Sequence, residues 1–139
     1  MLLELLWGLA TALPLIFLTP LLRKYFPMKL LAATILVAIA FIYVGFSLKE
    51  NILSDIIIEV TAALVFFFIA IVGYTRHSKL IALGILLHGL WDLIHHFTSG
   101  LKSNPDYWPV YCLTIDVIWS VYFYFIFKKE KSEVHLSIS

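Results

Sequence analysis

The chain has 139 residues, of which 62% are hydrophobic and only 14% charged; its formal net charge is +1 and its mean hydropathy +0.97. Soluble domains lie near about 45–50% apolar and about 25% charged, so a water-soluble fold is excluded and an integral membrane protein expected. The near-zero charge and the lack of a basic patch interleaved with aromatics argue against nucleic acid as a partner. The single cysteine, Cys112, excludes an intrachain disulfide framework.

At about 20 residues per crossing, the length holds about five spans and little else. The first covers residues 2–22; its opening MLLELLWGLATALP has no Lys or Arg ahead of the apolar run, so it reads as a span rather than a cleavable signal. Pro14 predicts a kink and Pro20 a frayed exit. Arg23, Lys24, Pro27 and Lys29 connect to the second span, 30–48, where Ala33, Ala40 and Ser47 recur at heptad spacing and leave room for another helix. A short polar connection ends at Asp55, the expected N-cap of the third span, 56–74, with Glu59 one turn inside it. Residues 75–79 lead to the fourth span, 80–98, and a turn-rich loop to the fifth, 107–127, before a short polar tail.

The expected fold class is therefore all-α: one domain, an integral membrane bundle of five transmembrane helices, with sequence-adjacent helices as antiparallel neighbours. Eight of the ten Lys and Arg residues fall on the connections of one side. The positive-inside rule then puts the N-terminus outside and the C-terminus in the cytoplasm of a multi-pass cell-membrane protein.

The fourth span, LIALGILLHGLWDLIHHFT, carries His88, Trp91, Asp92, His95 and His96. At about 100° per residue these fall within an arc of about 140°, a single face. The opposite side reads Leu83, Leu86, Leu87, Leu90, Ile94 and Phe97 and suits lipid. An ionisable group at mid-membrane costs about 2.5–3.5 kcal/mol to insert, so such residues turn inward, find partners and serve a function. On the fifth span Trp108, Cys112, Asp116 and Trp119 form one helical stripe. With about 1.5 Å of rise per residue, His88 lies about 15 Å deep from the outer surface, Asp116 about 13 Å, Asp92 about 9 Å and Glu59 about 5 Å. The expected site is an outer-half cavity lined by Glu59, His88, Asp92, His95, His96, Cys112 and Asp116, with Tyr107 and Tyr111 at its rim and Trp91 as an apolar wall.

Imidazole with carboxylate is the ligand set of zinc, iron or manganese. Asp92, His95, His96, His88 and Asp116 are the candidate metal ligands, with His88, Asp92 and Glu59 as candidate catalytic acid–base groups. One metal using part of the set and two metals bridged by Asp92 both fit the spacing, although no His-Glu-x-x-His signature is present. The bland alternative is a buried hydrogen-bond network holding helices together.

The run Leu86 to His96, followed by Pro109 and Cys112-x-x-x-Asp116, resembles a family of small uncharacterised bacterial membrane proteins sharing His-x-x-Trp-Asp-x-x-His-His, then Cys-x-x-x-Asp, with an earlier intramembrane Glu matched by Glu59. The resemblance implies a common grouping of these residues and supplies no reaction.

The expected function is a metal-dependent membrane enzyme, with zinc or iron, acting on a lipid or other apolar small molecule. Hydrolysis or isomerisation is favoured over oxidation, because membrane hydroxylases are richer in histidine. The alternative is a proton or metal-ion transporter or channel subunit; the inner halves of the spans lack charge, so a continuous polar path is hard to draw in a monomer, and a homo-oligomeric pore stays open as its form. Bis-histidine haem ligation is disfavoured, since every intramembrane histidine lies on one helix.

Overall fold

The computed structural model describes residues 2–98 and 105–136; for His95, His96, Thr98 and residues 131–136 it describes the helical backbone only. Five helices follow in order: α1 (Leu2–Leu22), α2 (Met28–Glu50), α3 (Leu53–Thr75), α4 (Ser78–Thr98) and α5 (Trp108–Leu136). Four of them, α1, α2, α3 and the stretch of α5 from Trp108 to Glu130, are long and apolar enough to cross a membrane. The outward surface fits a lipid solvent, with Phe17 and Phe97 each 76% exposed.

The boundaries depart from expectation where backbone chemistry decides them. Both Pro14 and Pro20 lie inside α1, which continues to Leu22. The N-cap of α3 is Ile52, not Asp55, and no side chain caps it. Asp55 lies in the first turn instead, where a carboxylate favours the helix dipole. The α2–α3 connection is tighter than expected because Asn51 adopts φ 56°, a left-handed C-cap that asparagine tolerates, and its N–H donates to the Ser47 carbonyl at 3.1 Å. Beyond the fifth expected span, α5 runs on as helix to Leu136.

Helix α4 is the hub, packing against α5, α3 and α2. Sequence-adjacent packing holds for α2 with α3, α3 with α4, and α4 with α5, but α1 lies against α5 rather than α2. Its buried residues, Gly8, Ala12 and Thr19, form the stripe that does this. The apolar core occupies one end of the bundle: Ala32, Leu36, Ala70, Ile81, Ile85, Phe123 and Phe127 come from the N-terminal halves of α2 and α4 and the C-terminal halves of α3 and α5. The other end buries Glu59, His88, Asp92 and Asp116.

Candidate functional site

On α4, residues one turn apart share a face, and Ile81, Ile85, His88 and Asp92 are all buried along it. The expected lipid face is exposed at Leu83, Leu87, Leu90, Ile94 and Phe97. His88 and Asp92 therefore look into the bundle, 2% and 0% exposed.

The partner of His88 comes from α5, and the sequence contains a specific reason why it can reach. Gly89 is buried at the α4–α5 contact, where an added Cβ would lie 2.9 Å from the Asp116 Cβ and 3.3 Å from its Oδ2. The missing side chain lets the helices close, and Asp116 Oδ2 comes to 2.8 Å from His88 Nδ1. On the other edge of the imidazole, Nε2 lies 3.7 Å from Asp92 Oδ1. Phe66 of α3 presses on the ring edge-to-face, with centroids 5.2 Å apart, so the imidazole is held on three sides.

The two His88 contacts are unlike. At 2.8 Å, Nδ1 and Asp116 Oδ2 lie at hydrogen-bond distance, and with the proton on Nδ1 that nitrogen donates to Asp116 while the Nε2 lone pair faces Asp92. At 3.7 Å, the second contact is too long for a hydrogen bond. Neither oxygen of Asp92 has a hydrogen-bond partner among the described residues; the Cys112 thiol lines the same cavity. Beside the carboxyl of Asp92 stand His88, Cys112 and Asp116, which line the same cavity, and no Lys or Arg lines it among the described residues. One donor atom from each of His88, Asp92 and Asp116 lies within 4.8 Å of the others.

Asp92, His88, Cys112 and Asp116 open onto a cavity of about 170 Å³, closed by Tyr43 of α2 and Trp119 of α5 among others. Several expected members stand elsewhere. Glu59 is buried on α3, but it does not line the cavity. Trp91 packs against the apolar core instead. Tyr107 belongs to a separate outer space with Leu3, Glu4 and Trp7, whereas Tyr111 lines both spaces. The side chains of His95 and His96 lie outside the described residues.

Thr11, Tyr43 and Trp108 line the cavity without having been expected there. Tyr43, 2% exposed, carries the signal that identifies it, a phenol in the middle of an apolar span. Gly89, adjacent to His88, carries the other: it is where α5 comes closest to the site.

No curated protein and no solved structure matches the chain. A family model does match, over residues 3–129, which reaches into all five helices and includes every residue of the site; the chain belongs to the family of unknown function DUF6010.

Proposed function

We propose that the protein is a membrane-embedded, metal-dependent enzyme whose centre lies where α4 and α5 meet, acting on a lipid or other apolar substrate by hydrolysis or isomerisation. The observation that carries this reading is the donor set: among the described residues, one donor atom from each of the buried side chains His88, Asp92 and Asp116 lies within 4.8 Å of the others, and neither oxygen of Asp92 has a hydrogen-bond partner. Imidazole with carboxylate is the ligand chemistry of zinc and iron, and a buried polar atom left without a partner is costly, so an ion held there would satisfy Asp92.

The geometry suits an ion beside Nε2. Two ligands on one tetrahedral ion with bonds of about 2.0–2.1 Å lie roughly 3.3 Å apart, and Nε2 and Asp92 Oδ1 are separated by 3.7 Å. Asp116 then plays the part that carboxylates play behind metal-bound histidines, holding the tautomer and raising the basicity of the ring. Such a metal supplies a Lewis acid and a water of lowered pKa. In this reading α4 is the fifth membrane span, the N-terminus is outside, and the site sits in the outer half of the bilayer. The transporter alternative is weakened by the opposite end of the bundle, where Leu36, Ile81, Phe123 and Phe127 are packed shut.

The test is elemental analysis of untagged, detergent-purified protein beside Asp92→Asn, with hydrolysis of p-nitrophenyl decanoate before and after chelation. Near-stoichiometric zinc or iron in the wild type, lost in the variant together with ester hydrolysis, is the expected result. Equal metal content in both proteins would overturn the site.

A further inference from the structure

Next to the buried centre lies a second, larger space of about 440 Å³ at the α1–α5 end, walled by Glu4, Trp7 and Tyr107. It shares Thr11, Trp108 and Tyr111 with the 170 Å³ inner cavity, so these three residues form the partition between the two. The partition is held by hydrogen bonds. Tyr111 donates to Thr11 Oγ1 at 3.1 Å, and the Thr11 hydroxyl donates in turn to the Trp7 carbonyl at 2.9 Å. The third member, Trp108, has a buried indole N–H with no acceptor among the described residues.

A buried donor without an acceptor is costly, and an oxygen of a bound molecule removes that cost. The outer walls are aromatic, and Leu3, Trp7 and Tyr107 are more than half exposed, which gives an apolar chain a route from the membrane. We propose that the outer space is a binding vestibule for an amphiphile carrying a carbonyl or phosphoryl oxygen, which engages the Trp108 N–H and passes the Thr11–Tyr111 partition towards His88 and Asp92. This rests on the reading of the inner site as the reaction centre, and it names the substrate class that reaches it.

Cys112 is the one cysteine of the chain and lines the inner cavity but not the vestibule, so its alkylation reports passage across the partition. The experiment measures the rate of N-ethylmaleimide labelling of the full-length protein in nanodiscs, alone and with methyl decanoate, decyl phosphate or decane. Tyr111→Phe removes the donor and keeps the ring, and is expected to raise the rate about fivefold, the weight of one net hydrogen bond. One or both oxygen-bearing amphiphiles, and not decane, should slow labelling of the wild type, and Trp108→Phe should abolish that protection. Protection by the ester alone assigns a carbonyl oxygen, and by the phosphate alone a phosphoryl oxygen. Unchanged labelling in Tyr111→Phe, or equal protection by decane, would overturn the proposal. Metal content measured on the same samples separates the two readings: a metal-free protein whose labelling still follows this pattern has the vestibule without the metal centre.

Discussion

The two ends of the bundle are made by the same helices and solve the same packing problem with opposite chemistry. Around Leu36, Ala70, Ile81, Phe123 and Phe127 the core is a cluster of apolar side chains, with no carboxylate or imidazole among its described members. Around His88 the same helices bury three carboxylates and an imidazole. In lipid, helices associate through van der Waals packing and close approach, and interhelical hydrogen bonds add only about 0.6 kcal/mol each on average. The apolar end is therefore sufficient to hold the fold, and the polar end is costly in stability. A costly end retained beside a sufficient one is what a functional site requires.

The largest expected effect tests the apolar end. Phe123 is fully buried and stacks on Phe127 with centroids 6.0 Å apart. Phe123→Ala should cost about 3–5 kcal/mol in a reversible unfolding titration, as large-to-small core changes do, while the folded fraction keeps its metal. Metal loss in folded Phe123→Ala would break the division between the ends.

The opposite sign is expected at the other end. Replacing both members of the Asp116–His88 pair, as His88→Leu with Asp116→Leu, should abolish metal binding and raise stability by about 1–4 kcal/mol, as exchange of buried ion pairs for apolar residues does. A double variant less stable than the wild type would show that the pair is structural.

Glycines on α4 sharpen the comparison at smaller amplitude. An added Cβ at Gly84 meets the side-chain tips Leu36 Cδ2 at 2.6 Å and Ile69 Cγ2 at 2.8 Å, which can swing aside. At Gly89 it meets Asp116 at its Cβ, which moves only with the α5 backbone. Both substitutions overpack and should cost about 1–3 kcal/mol. Only Gly89→Ala is expected to weaken metal binding, by about 10–100-fold, the range found when groups supporting a metal ligand are disturbed. Equal metal affinity in the two variants would mean that the α4–α5 spacing does not set the site.

Much of this division is legible in the residues. The α4 arc containing His88 and Asp92 faces inward, and the depth argument put His88 and Asp116 at one level, where the structure brings them to 2.8 Å. Periodicity conveys which face is buried, but not which helix covers it. Trp91 falls in the same arc as Asp92 yet packs into the apolar core, because the arc is broad enough to meet several neighbouring helices. The placement of α1 against α5 was hidden for a related reason: chain adjacency favours α2, whereas the Gly8, Ala12 and Thr19 stripe fits α5. Thr11, which lines the cavity, depends on that placement and was not recognisable from its own span, whereas Trp108 lies on the stripe of Cys112 and Asp116 that its span already showed.

The smallest expected effect concerns how α1 is held at the two ends. At the apolar end Arg23 of the α1–α2 connection meets Glu130 of α5 at 3.3 Å, with side chains 44% and 35% exposed. At the polar end the ties are the Tyr111–Thr11 bond and the Trp119 indole N–H donating to the Ala12 carbonyl at 3.2 Å. An ion pair in water is screened and worth about 0.2–1 kcal/mol, so Arg23→Ala should lower stability by no more than that, with the difference shrinking as salt rises. It should also leave the Cys112 labelling rate unchanged, because the vestibule and its partition lie at the far end of α1. A rise in labelling equal to that of Tyr111→Phe would mean that α1 moves as one rigid rod and that the partition opens by displacement of the whole helix, rather than by the local loss of one hydrogen bond.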